Sequence, residues 1–345
     1  MKNVLVTGGG GFIGQGIVRA LLARGLRVAV FGRNRYPEIE ALGAECIVGD
    51  LRDLEEVRQA VMGRDTVFHV AAKAGIWGAS REYHDINVGG TVHVIRACQE
   101  SGVAALVYTS TPSVVFAGKN IEGGEETLPY GRRPLCAYAR TKIEAERLVL
   151  AASTAELRTT AIRPHLVWGP GDRHLIPRLL ERGRNGQLRI VGDGGNRVDI
   201  SYIENVVHLH LLAAESLHGD GAAAGEAFFI GQERAVNLWD WINTLFRRLD
   251  IAPVRRRVPL VIAYLAGWTL EGVYALARWQ EEPKMTRFLA LQLARSHWFD
   301  HSKAKRLLAY QEQVGMEEGL DRLVSWLQTS GRPVLDEKPV AEKEY

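Results

Sequence analysis

Cysteine is scarce in this chain of 345 residues: Cys46, Cys98 and Cys136 are the three present, and none form a C-x-x-C pair. An odd, widely spaced set excludes a disulfide frame and a thiolate zinc site; the three read as thiols of a reducing, cytoplasmic setting. An excess of one charge is also missing. Lys and Arg number 43 against 40 Asp and Glu, a net +3, which is too little for a dedicated nucleic-acid binder. No H-E-x-x-H, G-x-S-x-G or paired-carboxylate pattern occurs, so hydrolytic chemistry has no carrier. His208 and His210 stand two apart on an expected helix and face different ways, so no metal site is expected. The N-terminus shows no export signal, because Gly8 to Gly11 break the short apolar run after Lys2.

Long apolar runs are missing but for one. Val258–Trp279 approaches the ~20 residues of a membrane span. It contains Glu271, Pro259 and two glycines, and an acid at mid-bilayer costs ~2.5–3.5 kcal/mol. A spanning helix is therefore not expected. Two readings stay open for this run, which follows Arg255-Arg-Arg257. One is a buried helix of a second lobe. The other is a mobile apolar wall over an alkyl-chain channel, with Leu265 and Leu270 facing the chains, that also docks on a membrane or on partners.

What is present is an alternation. Short β-branched strands at Asn3–Thr7, Arg27–Phe31, Glu45–Val48, Thr66–Val70, Ala104–Thr109 and Thr159–Arg163 are separated by amphipathic stretches at Phe12–Arg24, Leu54–Met62, Asp85–Ser101 and Ala137–Ala152. Hydrophobic residues make up 46% and charged residues 24%, so the chain can bury a sizeable core. The pattern predicts an α/β fold, a doubly wound parallel sheet covered on both faces. After Pro164 the rhythm changes to Gly/Pro loops and helices rich in Trp, Leu and Arg. The division expected is a dinucleotide-binding domain over 1–165, with a returning strand near 227–230. A discontinuous, mostly helical substrate lobe follows over 166–334, then a tail over 335–345 that frays.

Thr7-Gly-Gly-Gly-Gly-Phe-Ile-Gly14 joins the first strand to the first helix. Gly8, Gly11 and Gly14 recur every third residue, and with Gly10, Phe12 and Ile13 they form a turn whose free N–H groups suit a pyrophosphate. NAD-selective folds place an acid ~20 residues beyond, to bond the ribose 2′-OH. Here the second strand ends in Phe31-Gly-Arg-Asn-Arg35. Arg33 and Arg35 in place of an acid predict NADPH, through pairing with the 2′-phosphate. Asp50 and Leu51 close the third strand, where a side chain reaches the adenine; Asp50 also serves as a candidate N-cap for the helix after it. Ala71, Ala72 and Lys73 close the fourth strand, where small residues let a cofactor lie against the backbone.

Tyr138 and Lys142 stand four apart at the start of a helix and share a face. A phenol titrates near ~10, and an adjacent ammonium lowers that value. Tyr108-Thr-Ser-Thr111 ends the fifth strand, where ligands of open α/β sheets sit. A hydroxyl there can hold a carbonyl oxygen beside Tyr138.

These residues, with Arg163-Pro164, resemble the extended short-chain dehydrogenase/reductase family along essentially the whole chain. The resemblance implies that Thr111, more than Ser110, is the active-site hydroxyl. It implies that Tyr138 is the proton donor, that Lys142 tunes it and bonds the nicotinamide ribose, and that Asn87 holds the site's conformation. Pro164 to Val167 would lie against nicotinamide. The chain looks closer still to the 3β-hydroxysteroid dehydrogenase-like branch. Ala71–Gly78, Tyr108–Val114, Trp168–Asp172 and Val191–Gly195 resemble the group of that branch that reduces 2-alkyl-3-oxo acids in bacterial long-chain olefin biosynthesis. That likeness implies NADPH, a substrate with long alkyl chains and a carboxylate, and contact with the pathway's β-lactone synthetase and β-lactone decarboxylase. A homodimer is also entertained. Lys73, Arg173, His174, Arg178 and Arg197 are candidates for the substrate carboxylate; Trp77 and Trp168 are candidates to line the chain channel. The rivals are a hydroxysteroid dehydrogenase, a nucleotide-sugar epimerase, and a non-catalytic NADP-binding sensor or scaffold.

Overall fold

The computed structural model describes residues 1–329; the tail expected over 335–345 lies outside the described residues. Seven parallel strands form the central sheet: β1 (Asn3–Thr7), β2 (Arg27–Gly32), β3 (Glu45–Val48), β4 (Thr66–His69), β5 (Ala105–Thr109), β6 (Arg158–Pro164) and β7 (Ala227–Ile230). Their order is β7-β6-β5-β4-β1-β2-β3. The direction of winding reverses at β1, between its neighbours β2 and β4. Open α/β sheets bind ligands in the crevice this reversal leaves at the strands' carboxyl ends. All but the edge strand β3 are buried on both faces, β5 at every residue, which is why they read as unbroken apolar runs.

Helices α1 (Phe12–Ala23), α2 (Leu54–Val61), α3 (Gly90–Glu100), α4 (Ala137–Ala151) and α5 (Ile203–His218) cover the sheet. α1 ends on Gly25 with φ +73, and Leu26 N donates to Leu21 O, the left-handed stop that glycine supplies. α2 is capped by Asp53, whose carboxylate accepts from Glu55 N and Glu56 N. Asp50, the candidate for that cap, instead folds back on Arg52. The helix expected over 85–101 is broken: Ser80–His84 is α-helical, Asp85–Gly89 makes a π turn, and α3 follows. The extra residue of a π turn re-aims a side chain, here Asn87.

The segment after Pro164 returns α5 and β7 to the sheet, and one apolar core runs from Val4 and Ile17 through Trp168 and Trp241 to Leu323. Trp168 is fully buried against Tyr202 and Trp241, so it belongs to this core and lines no channel. A second sheet of four short strands (Ile121–Gly124, Arg197–Val198, Val236–Asn237 and His297–Phe299) joins the lobe to the loop after β5. Strands of two to four residues are too brief for an alternation to show in sequence.

The long apolar run folds as α6 (Leu260–Leu276), with Pro259 at its N-cap, packed on α7 (Arg287–Ala294). It is no buried helix: Ala263 and Gly267 are its buried residues. A Cβ on Gly267 would stand 2.5 Å from the Thr286 carbonyl carbon, so glycine is what lets α6 approach α7. Glu271 accepts from Arg287 N and Nε, each at 2.7 Å. Among the described residues no helix is long and apolar enough to cross a membrane.

Candidate active site

The glycine turn after β1 closes on the end of β4. A Cβ on Gly8 would stand 2.8 Å from Ala71 N and Cα, and one on Gly14 would stand 2.2 Å from Gly8 O. The cradle therefore excludes side chains at both points and leaves bare backbone at the N-terminus of α1, with Gly11 at the cap and Phe12 and Ile13 opening the helix. Such an N-terminus carries partial positive charge and unpaired N–H groups. A dinucleotide's pyrophosphate fits these residues. Ala72 is half-buried beyond Ala71. The ring of Tyr36 lies against Gly10, where a Cβ would be 2.0 Å from it.

The two arginines after β2 differ. Arg35 binds Glu40 through Nε at 3.0 Å and Nη2 at 2.7 Å, so it is turned from the cradle to a helix acid. Arg33 is exposed and has no ion pair among the described residues. Its charge reaches Tyr36 and Asp50. The Arg52 side chain bonded to Asp50 lowers the carboxyl's titration from its ordinary value. Leu51 is buried, and a Cβ on Gly90 would meet it.

Tyr138, Lys142 and Glu146 stand one turn apart along α4. The end of β5 answers each of them. Thr111, whose hydroxyl bonds Ser113 Oγ and N at 3.2 Å each, is the side chain near enough to the Tyr138 phenol to pull its titration down. Lys142 Nζ donates to Thr109 O at 2.6 Å and lies 4.1 Å from the centre of the Tyr108 ring. Ser110 Oγ donates to Glu146, which also accepts from Arg163 Nη2 at 2.6 Å and Tyr130 Oη at 2.8 Å. Ser110 thus belongs to the buried ion pair, and Thr111 is the hydroxyl on the phenol's side.

Burial pushes the Tyr138 phenol up to about 12, and the Thr111 hydroxyl pulls the other way. The expected lowering by Lys142 is absent. The ammonium is drawn to the Thr109 carbonyl and the Tyr108 face instead, and burial brings Lys142 down to about 7 against the pull of Glu146. A phenol that keeps its proton at neutral pH is in the form a proton donor needs.

A chain of buried hydrogen bonds joins the nucleotide turn to α4. Ala71 N donates to Thr7 Oγ1 at 3.2 Å, and Thr7 Oγ1 lies 2.8 Å from His69 Nδ1. His69 Nε2 lies 3.0 Å from Thr91 Oγ1, which donates to Asn87 O at 2.6 Å. Since both threonine hydroxyls have their roles set by these partners, His69 accepts at Nδ1 and donates from Nε2. Burial holds His69 neutral, near about 3. Asn87 Nδ2 then donates to Lys73 O and to Thr141 Oγ1, each at 3.1 Å, while its Oδ1 accepts from Lys73 N at 2.7 Å. Asn87 thus clamps the end of β4 to the turn of α4 that carries Tyr138. His69 and Glu146 escaped the sequence reading; their only signal was position, at the end of β4 and one turn past Lys142.

Pro164 ends β6, and the next residues carry strain. Leu166 has φ +41, a left-handed conformation rare for a bulky side chain. His165 is buried, with Nε2 2.6 Å from His297 Nδ1. Val167 pairs with Ser201. Of the carboxylate candidates, Lys73 is tied to the site through Asn87 and pairs with Glu82 at 3.0 Å. Arg178 is held by Glu282, and Arg197 by the Ala235 carbonyl. Arg173 is exposed, 3.9 Å from Glu38, and His174 precedes the helix Leu175–Arg184. Trp77 donates to Trp279 O at 3.0 Å and meets Tyr274 edge-on. The described residues hold no cluster of potential metal ligands.

Tyr138 itself packs against a buried apolar cluster of Phe116, Cys136, Ala139 and Phe288, which Ile76, Leu135 and Leu291 also border. Two of these come from α7, so α7 walls the site while α6 lies outside it.

Known proteins resemble this chain in sequence and in fold. The 3-beta hydroxysteroid dehydrogenase/isomerase family matches over residues 5–260. The 2-alkyl-3-oxoalkanoate reductase of Stenotrophomonas maltophilia (strain K279a) is 47% identical over 323 residues, covering 93% of this chain and 98% of the relative. The enzyme of that name from Shewanella oneidensis is 45% identical, covering 94% and 86%. Among solved structures, MoeE5 in complex with UDP-glucose and NAD superposes with a TM-score of 0.73 at 28% identity, covering 95% of this chain and 99% of that one. The chain belongs to the 3-beta hydroxysteroid dehydrogenase/isomerase family and is an NAD(P)-dependent oxidoreductase.

Proposed function

We propose that the protein is an NADPH-dependent reductase that converts a 2-alkyl-3-oxoalkanoic acid to the 2-alkyl-3-hydroxyalkanoic acid in bacterial long-chain olefin biosynthesis. The observation that carries this reading is the placement of Tyr138: its phenol stands near the Thr111 hydroxyl while its side chain packs against the buried cluster that holds Phe116 and Phe288. A proton donor set in an apolar wall suits a ketone flanked by alkyl chains. The names of the two relatives near half identity point the same way.

The nicotinamide, when bound, supplies the hydride, and the protein supplies position and proton. The glycine cradle, Ala71 and Ala72 hold the dinucleotide. Arg33 reads the 2′-phosphate, now without Arg35. Thr111 donates to the 3-oxo oxygen, and Tyr138 delivers the proton as that oxygen gains charge. Lys142 is assigned to the nicotinamide ribose, and Pro164 and Val167 to the ring. Lys73 is assigned to the substrate carboxylate, which would take the place of Glu82. The β-lactone synthetase and decarboxylase that would follow this product are proposed partners, in a cytoplasmic setting.

A hydroxysteroid substrate is the second reading, favoured by the family match itself. NADPH consumption with a branched 3-oxo acid, a 3-oxosteroid or no ketone separates the two. The proposal expects turnover with the first. Turnover with the steroid alone would overturn the substrate and leave the reductase standing.

A further inference from the structure

Seven of the twelve exposed large apolar side chains of the described residues lie between Val261 and Trp279. Leu276 is 88% exposed, Val261 67%, Trp268 61% and Leu265 54%. Single exposed apolar residues are ordinary; a contiguous patch marks something that covers it. Helical spacing explains the division. Ala263, Gly267 and Glu271 turn inward, where Gly267 touches the Thr286–Arg287 backbone and Glu271 holds Arg287. Val261, Leu265, Trp268 and Leu276 turn outward. From Val258 to Ala277 the one charged side chain is Glu271, and it is spent inward.

The outward face also has little hydrogen-bonding capacity. The Thr269 hydroxyl is spent on Leu265 O of its own helix at 3.0 Å. A protein interface carries about one hydrogen bond per 100–200 Å², and of the outward side chains Val261, Leu265, Trp268 and Leu276 the Trp268 indole alone has a donor, a group that suits the headgroup level of a bilayer. Hydrocarbon asks for no hydrogen bonds. Charge then selects the kind of hydrocarbon surface. Arg255, Arg256 and Arg257 precede the helix, and Arg278 follows it. All four are exposed, without an ion pair among the described residues. The strand Arg257–Val258 pairs with Ile190–Val191, which anchors the arginine triplet beside the first turn of α6.

We infer that the outer face of α6, with Arg255–Arg257 and Arg278 at its ends, docks the protein on an anionic phospholipid bilayer. The helix lies in the plane of the interface, with its apolar side chains among the acyl chains and the guanidinium groups on the headgroups. Through Trp77 and Trp279 the docked end of α6 meets the loop after β4, and through α7 its inner face backs the wall at Tyr138. The inference rests on the surface, not on the identity of the substrate.

Vesicle flotation of the full-length protein tests it. Wild type is expected to float with phosphatidylcholine vesicles containing phosphatidylglycerol, and far less with phosphatidylcholine alone. Replacing Arg255, Arg256 and Arg257 together by Gln should lower partitioning onto anionic vesicles by about tenfold or more. Leu265→Glu with Leu276→Glu should abolish it. Leu276→Glu alone guards against misfolding, since that side chain is the most exposed of the set. All variants should keep their melting temperature and NADPH affinity. Wild type that stays with the soluble fraction overturns the inference, as does binding that neither variant class weakens. A wild-type dimer that Leu265→Glu/Leu276→Glu splits, with no vesicle binding, gives the face to a second copy and overturns it too. None of these readouts uses turnover, so they leave the proposed reaction untouched.

Discussion

At the scale of single residues, the site sets three positions on α4 beside Thr109, the last residue of β5, and Ser110 and Thr111 just after it. Tyr138→Phe keeps the shape and the apolar packing but removes the proton. Turnover should fall by about 10²–10⁴-fold with NADPH affinity nearly unchanged, as stopped-flow rates and a fluorescence titration would show. Arg33→Ala should weaken NADPH more than NADH, by roughly 10–150-fold, since a charge-assisted hydrogen bond is worth about 1.5–3 kcal/mol. Equal losses for both cofactors would remove Arg33 from the 2′-phosphate. Tyr138, Lys142, Thr111 and the glycines were legible because spacing alone puts them on one helix face, one strand end and one turn. The pairing of Arg35 with Glu40 was not legible, because Glu40 comes from a four-residue helix with no periodic signal. The ammonium of Lys142 was expected at the phenol, and no spacing rule reports that a backbone carbonyl and an aromatic face compete for it.

At the scale of elements, the parallel sheet was legible almost strand for strand, because strands buried on both faces read as apolar runs. The small sheet was not, nor was the π turn that aims Asn87. The apolar run at α6 shows the limit most plainly: composition reported its hydrophobicity, and only packing reported that it faces out. Gly267→Val should push α6 off α7 and cost about 1–3 kcal/mol in urea unfolding. Leu265→Ser, expected from sequence to strip the wall of an alkyl-chain channel, removes an exposed side chain instead. It should change stability by less than about 0.5 kcal/mol and leave short-chain turnover unchanged.

At the scale of the whole molecule, buried neutral histidines tie stability to pH. His69 is held near about 3 and His210 near about 4, and His165 and His297 also lie below their ordinary value, all through burial. The unfolded chain takes up protons at these sites below about pH 6.5 while the folded chain does not. Their contribution is therefore complete above that pH and is lost as pH falls toward the folded values. Each adds up to about 1.4 kcal/mol per pH unit to the slope. Melting temperature should drop steadily on acidification from about pH 6.5 to about pH 4.5, and His210→Gln should flatten that drop; a flat profile in the wild type would mean these rings are already charged.

The central claim is that hydride and proton arrive at one ketone beside Tyr138. The measurement that tests it most directly is product labelling with NADPH deuterated at the transferring position of nicotinamide C4. With a 2-alkyl-3-oxo acid as substrate, mass spectrometry should find a single deuterium on C3 of the 2-alkyl-3-hydroxy acid, and Tyr138→Phe should form that same product more slowly. A hydroxy acid free of deuterium, or no hydroxy acid while a 3-oxosteroid is reduced, would contradict the account.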